Sequence, residues 1–483
     1  FQLGVMRIVL WLTIVGFGAS SPARDVERKY LGEGMSIKEL KEDVAKLGRE
    51  VERELSDTDR QNKVSELRAN FEKLKGVNRN EKSSKSINEV NEGDNGELFE
   101  GDLILTPEQW RIATELDTNK GLVRRQALRN TAYLWSPLGS PVVYYKFDSS
   151  LPKKGRDLVL KAMKFWQDRT CITFKKASSK TKDFITFQNK GTGCYSNVGK
   201  KGEEQFLNLS EGCYFMHAVI HEIAHALGVF HTQSRPDRDE YVYVDEKNVE
   251  KGEIGNFIGE SYNSVNMHDV PYEFGSVMHY GYNDFAIDKK LPTLYAGPEY
   301  TQYQFSMGSG RASFYDIMLL NRMYQCNARC REAVSCQNNG VQDVRDCSKC
   351  MCPRGWTGKY CESRPEGTTV VKVPEEGSTL TQIGIGFDAI TEFDERFFVL
   401  QAPKGRRLSL NITKYGGVEV DNCILLGIEV VPTIDYRPSG IKYCNTPKYE
   451  NIKSEGDSML IYFYKYSMTY YDPLRADFTV ELI

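Results

Sequence analysis

All six histidines of the chain fall between positions 217 and 279. Within that stretch stands His221-Glu222-Ile223-Ala224-His225-Ala226-Leu227-Gly228-Val229-Phe230-His231. Residues four apart share one face of a helix, so His221 and His225 can address a single ion. Glu222, one position on, faces a water on that ion rather than the ion itself. Gly228 lets the chain leave the helix sharply, where a side chain would be strained. His231 then returns as a third ligand. Three neutral imidazoles leave one coordination position open, as catalytic zinc requires and structural zinc does not. Zinc acidifies its bound water, and Glu222 can take that proton as general base and later deliver it as general acid to a leaving amine. Solvated histidines on an ordinary helix would have no reason to sit at ligand spacing in so apolar a segment.

The elements around the motif read as α+β material with its own core. Val142-Val143-Tyr144-Tyr145-Lys146-Phe147 is strand-like, Leu158, Leu160, Ala162, Met163 and Trp166 predict a helix, and Cys171-Ile172-Thr173-Phe174 a further strand. Ahead of them, Ile37, Leu40, Val44, Leu47 and Val51 form one helical stripe and Val64, Leu67, Phe71 and Leu74 a second. Residues 81–97, rich in Ser, Asn, Lys, Glu and Gly, read as a solvated linker. Behind the catalytic material, residues 368–483 carry short alternating apolar runs such as Leu408-Ser409-Leu410 and Met459-Leu460-Ile461-Tyr462-Phe463, the pattern of an all-β sandwich.

The bulk numbers set the frame. A chain of 483 residues is too long for one core, and a formal net charge of -3 gives no reason to expect nucleic-acid binding. Of the 12 Cys, those from Cys326 to Cys361 are dense enough for a disulfide-stapled module in an oxidising compartment. Met6, Arg7 and the apolar run Ile8–Val15, followed by small residues, read as a secretory signal over residues 1–21, with residues 1–5 ahead of Met6. The run is too short to span a bilayer, so no membrane span is expected after signal removal. The sequons at Asn208 and Asn411 fit secretion.

The extended histidine motif is that of metzincin proteases. Together with Ser276-Val277-Met278-His279-Tyr280 and Gln233–Asp239 it makes the chain resemble the astacin family. That resemblance implies a secreted zinc endopeptidase with one zinc per catalytic domain. Met278 would support the site from below. Tyr280 would be a displaceable fifth ligand that swings away to stabilise the oxyanion. It also implies disulfides Cys171–Cys326 and Cys194–Cys213. Phe99-Glu100-Gly101-Asp102 resembles the astacin propeptide motif, so Asp102 would occupy the zinc in a latent precursor, with activation cleavage at Arg125 of the pair Arg124-Arg125. Thr232 stands where the family usually has a Glu that anchors the mature N-terminus. Met307–Arg311 lies near the pocket beyond the scissile bond, where Arg311 would either favour acidic side chains or be a surface arginine.

Cys330 to Cys361, with Gly355-Trp356-Thr357-Gly358, resembles an EGF-like domain, which implies Cys330–Cys347, Cys336–Cys350 and Cys352–Cys361. Residues 368–483, with Cys423 and Cys444 as the available pair, resemble a CUB domain. The expected organisation is multidomain: signal 1–21, a partly helical propeptide 22–125, an α+β metzincin domain 126–328, an EGF-like module 329–364 and a CUB-like sandwich 368–483. No metal ligand lies behind residue 330, so cleavage of short peptides is expected to be independent of these modules. EGF-plus-CUB astacins are frequent among nematodes, so the substrates implied are extracellular proteins such as matrix, cuticle or eggshell components. A matrix or adhesion protein with an inert protease scaffold is the competing reading, and the intact set of Glu222, the histidines and Tyr280 argues against it.

Overall fold

The computed structural model describes residues 58–74, 86–91, 98–106, 109, 127–128, 131–259, 265–375, 379–384, 393–416, 423–444, 451–466 and 474–483. The apolar run after Met6, the stripe at 37–51 and the pair Arg124-Arg125 lie outside the described residues. No helix among the described residues is long and apolar enough to cross a membrane.

A six-stranded sheet carries the site. Its order is Leu103–Ile104, Cys194–Asn197, Glu204–Leu209, Phe184–Gln188, Val142–Phe147 and Thr173–Lys176. Cys194–Asn197 runs antiparallel to Glu204–Leu209, while the remaining pairings are parallel. Every residue of Phe184–Gln188 is buried, as expected of a strand covered on both faces. Against the sheet packs the helix Lys153–Arg169, which starts behind Pro152 and buries Val159, Ala162, Met163 and Trp166 on one face. Leu160 departs from the sequence expectation by pointing outward. Trp166 Nε1 donates to the Ile220 carbonyl at 3.2 Å, fixing a second helix, Met216–Ala226, against the first.

The described cysteines form six disulfides. Cys171–Cys326 ties the start of an outer strand to the end of the catalytic material across 155 residues, and Cys194–Cys213 ties the cleft-edge strand to the entry of the Met216–Ala226 helix. Cys330–Cys347, Cys336–Cys350 and Cys352–Cys361 staple a small hairpin unit, and Cys423–Cys444 lies in the C-terminal part. That part is all β, with one sheet of five strands and one of four. In the five-stranded sheet Leu426–Val431 is buried throughout. One side of this sheet faces the sandwich core. Tyr462 and Leu460 lie on the other side, where Arg354 of the hairpin unit donates to Tyr462 Oη at 2.8 Å.

Two expectations need correcting. Part of the segment read as a solvated linker is ordered: Ile87–Val90 is a single helical turn closed by a capping box between Ser86 and Glu89. Its Asn88 and the following Asn91 are buried. Asn208, expected to carry a glycan, is fully buried, and its Nδ2 donates to the Gly193 carbonyl at 2.9 Å while its Oδ1 accepts from Lys190 N–H. A glycan cannot be housed there in this fold, so that assignment is withdrawn. Asn411 is half-buried on a strand of the four-stranded sheet.

The helix Thr58–Leu74 docks on the catalytic unit through Val64, Leu67 and Phe71. Phe71 lies among Tyr282, Tyr295 and Phe305, with ring centroids 6.1, 6.0 and 5.9 Å away. Gln61 donates to Glu246 at 2.9 Å, and Arg60 pairs with Asp239. Phe71→Ala should weaken this docking by about 3–5 kcal/mol. Amide exchange over residues 58–74 should then accelerate while the six-stranded sheet stays protected. Unchanged exchange would show that the aromatic contact does not hold the helix.

Candidate metal centre and cleft

The Met216–Ala226 helix is apolar nearly all round, and Ala218 to Ala226 are all buried. It ends at Leu227, and Gly228 follows at a φ of 100°, a conformation that favours glycine. Its C-terminal carbonyls are tied down from three directions. Trp135 Nε1 donates to Ala226 O, Tyr324 Oη to Leu227 O, and Gly199 N–H to His225 O, at 2.9, 2.9 and 2.8 Å. His221 and His225 are thereby held on a rigid turn, and the chain reverses at Gly228 to bring back His231.

Each imidazole is then oriented by an oxygen on its far side. His221 Nδ1–H donates to the Val277 carbonyl, His225 Nδ1–H to the Val229 carbonyl, and His231 Nδ1–H to Glu100 Oε2, each at 2.7 Å. Those bonds fix the tautomer and turn each Nε2 lone pair toward one point. Asp102 completes the group: its Oδ2 lies 3.2 Å from both His221 Nε2 and His231 Nε2, and its Oδ1 lies 3.5 Å from His225 Nε2. The ligand atoms of Asp102, His221, His225 and His231 all fall within 4.8 Å of one another, and all four residues are buried.

This donor set fits a zinc ion. With both Nδ1 protons committed to carbonyls, the Nε2 atoms of His221 and His225 face each other as lone pairs at 2.8 Å, which calls for a cation between them. Burial opposes the charge on His231, yet Asp102 and Glu100 raise it to about 10, so the anionic partners demand positive charge here. Burial likewise opposes ionisation of Asp102, but the facing histidines outweigh it and hold the carboxyl well below its ordinary range. Glu222 is fully buried, and neither carboxylate oxygen has a hydrogen-bond partner among the described residues. Burial, with the Asp102 charge adding to it, pushes its carboxyl well above the ordinary range, so this side chain can hold a proton.

Met278 is buried, and its turn positions the site through the backbone. Val277 O orients His221, while Met278 O accepts from Thr232 N–H at 2.8 Å. Thr232 Oγ1 donates to Ser276 Oγ, which donates to Asp316 Oδ1 at 2.6 Å. A buried carboxylate, that of Asp316, is thus reached from Thr232 through two hydrogen bonds, and nothing near the motif announced it. Tyr280 is not among the ligand atoms in this state. Its hydroxyl donates to the Glu100 carbonyl at 2.6 Å, and its ring lies 4.8 Å from that of His231.

The residues around Asp102 form a turn driven into the cleft. Phe99 and Leu103 exchange backbone hydrogen bonds at 3.0 and 2.9 Å. Glu100 and Gly101 have φ of 48° and 76°. A Cβ at Gly101 would come within 2.7 Å of Asn88 Oδ1 and 2.8 Å of Phe285 Cζ, so only glycine passes. Leu103–Ile104 then pairs with the cleft-edge strand Cys194–Asn197. Asn91 clamps the arrangement: its Nδ2 donates to Gly101 O and Cys194 O at 2.8 and 2.7 Å, and its Oδ1 accepts from Cys194 N–H. Asn88 and Asn91 were not singled out from sequence, because short polar residues in a polar stretch carry no periodicity to flag them; Glu100 stood in the quoted motif without a role of its own.

Arg311 is neither a pocket cation nor a simple surface residue. Its guanidinium donates to Glu395 at 3.0 Å and lies over the Tyr464 ring, both in the C-terminal sandwich.

The model of the astacin peptidase family matches residues 128–325. Zinc metalloproteinase nas-31 of Caenorhabditis elegans is 34% identical over 400 residues, covering 80% of this chain and 64% of that protein. Zinc metalloproteinase nas-28 of the same nematode is 32% identical over 363 residues, covering 72% of each. Among solved structures, high choriolytic enzyme 1, a hatching-enzyme zinc protease of the medaka Oryzias latipes, is 30% identical with a TM-score of 0.39, covering 42% of this chain and 99% of that one. This chain therefore spans somewhat less than two thirds of the length of nas-31.

His225→Ala should abolish stoichiometric zinc in purified protein, whereas Glu222→Ala should retain about one zinc per chain, because only the former removes a ligand. Metal analysis by plasma mass spectrometry reads both. Loss of zinc in Glu222→Ala alone would move that residue into the ligand set.

Proposed function

Since the chain belongs to the astacin family, we propose that it is a zinc-dependent endopeptidase of extracellular proteins, held latent by its own N-terminal segment. The observation that carries this reading is the buried cluster of three Nε2 atoms beside a Glu222 carboxylate that makes no hydrogen bond. Zinc bound there supplies Lewis acidity that makes water a nucleophile near neutral pH. Glu222 takes the proton of the attacking water and passes it to the nitrogen of the leaving amine. Its burial supports this role, since a carboxyl with a raised proton affinity can carry the proton between the two steps. Tyr280, once free of the Glu100 carbonyl, offers its hydroxyl to the oxygen that becomes negative as the carbonyl is attacked. His221, His225 and His231 bind, and Val277, Val229 and Met278 hold them in register.

Latency follows from the same turn. Asp102 occupies the position where water must stand, Glu100 O engages Tyr280, and the Thr58–Leu74 helix anchors the segment remotely. Ala127–Leu128 pairs with Val265–Asn266, so the chain just beyond Arg125 is already seated on the catalytic unit. Cleavage at Arg125 would release everything upstream. The six disulfides support secretion, where such bonds persist. The stapled hairpin is read as an EGF-like module and the C-terminal sheets as a CUB-like one.

Glu222→Ala should lower kcat on a protein substrate by about 10²–10⁴-fold with zinc retained. Full activity in that variant would sink the mechanism. In the uncleaved precursor, Asp102→Ala should raise basal hydrolysis of a fluorogenic peptide well above that of the parent precursor. Equal basal rates would show that Asp102 is not the lock.

A further inference from the structure

The sandwich expected to be independent of the chemistry reaches into the cleft. A cavity at the metal centre is lined by His221 and His231 together with Asp284, Gly308, Ser309 and Ile424. Ile424 follows Cys423 of the C-terminal disulfide and is 4% exposed. Its placement is fixed by contacts on both sides of the cavity rim. A Cβ on Gly310 would come within 2.6 Å of the Ile424 carbonyl, so catalytic loop and sandwich meet there at backbone distance. Beside it, Ser306 Oγ donates to Gly440 O and accepts from Lys442 N–H, at 3.1 and 3.2 Å. Ser439 N–H donates to the buried Glu273 at 3.0 Å. Lys442 Nζ donates to Ser309 Oγ at 2.6 Å from behind the cavity wall.

The charges along this seam are mutually satisfied. Lys442, Arg311 and Arg354 are interleaved with Glu273, Glu395 and Glu429; Lys442, Glu273 and Glu429 are buried and the other three half-buried. What the sandwich contributes to the cavity lining is Ile424, alongside Gly308, Ser309 and Asp284 of the peptidase unit. In the precursor, Ile87 of the pro-segment lines this same cavity.

We propose that Ile424 is a specificity-determining residue of the peptidase: the C-terminal sandwich supplies one wall of a substrate side-chain subsite, which admits side chains of aliphatic size and excludes larger ones. This rests on the peptidase reading above. It also replaces the expectation that short-peptide cleavage is indifferent to residues 368–483.

The test uses the activated full chain and fluorogenic peptides varied among Ala, Leu, Phe, Trp, Glu and Lys at the two positions flanking the scissile bond. The readout is the ratio of kcat/KM for Trp over Leu. Ile424→Ala should raise that ratio about tenfold or more at one of the two positions, because removing methylene groups from a pocket wall changes discrimination on that scale. Ile424→Phe should lower it, Ile424→Val should shift it only slightly upward, and zinc content should stay at the parent value in all three. The graded series keeps the test valid if one variant fails to fold. A ratio unchanged across variants that hold zinc and turn over Leu peptides would overturn the proposal. A parent chain that binds zinc yet cleaves none of the peptides would instead remove the peptidase reading, and this subsite with it.

Discussion

Three imidazole lone pairs and a carboxylate converging inside a buried space is an arrangement no folded chain tolerates without a compensating cation. The rest of the catalytic unit can be understood as meeting that constraint. Each ring is held from behind by a different part of the chain: His225 by Val229 in the turn it precedes, His221 by Val277 in the Met278 turn, and His231 by Glu100 far upstream. The helix that carries two of them has its last carbonyls bonded by Trp135, Tyr324 and Gly199, so the ligands cannot relax apart by fraying.

Because one of those supports belongs to the Phe99–Leu103 turn, the proposed latency and the site geometry share residues. Asp102 faces the ligand nitrogens, Glu100 holds His231 through its side chain, and the same residue engages Tyr280 through its backbone. On the proposed activation all three contacts are lost together. Departure of the turn would open the coordination position, free the phenol and leave His231 to find another acceptor. A switch built this way needs no long-range conformational signal, since the groups the turn releases are the ones the proposed mechanism uses.

Much of this was legible in the sequence because ligand spacing on a helix is rigid: two histidines four apart, a glycine exit and a third histidine admit few other structures. The alternation of C-terminal runs such as Leu408-Ser409-Leu410 was legible for the same reason, since period two is set by the pleat. What stayed hidden was contact between segments remote in sequence. Asn88 and Asn91 look like linker residues, yet one donates to Asp284 and the other clamps Gly101 to Cys194. The sequon at Asn208 gives no sign that its side chain is spent inside the sheet. Ile424 reads as one more sandwich residue until it is found in the lining of the cleft, and Arg311 reads equally as a pocket cation or a surface residue until Glu395 is found beside it.

The central claim is that one zinc ion is held in the precursor by His221, His225, His231 and Asp102. Crystals of the intact precursor, with anomalous data collected on both sides of the zinc absorption edge, test it most directly. The account predicts a single strong anomalous peak bounded by the three Nε2 atoms and a carboxylate oxygen of Asp102, with no water in that coordination position. A zinc peak coordinated by water, with the Asp102 carboxylate turned away from it, would contradict the account.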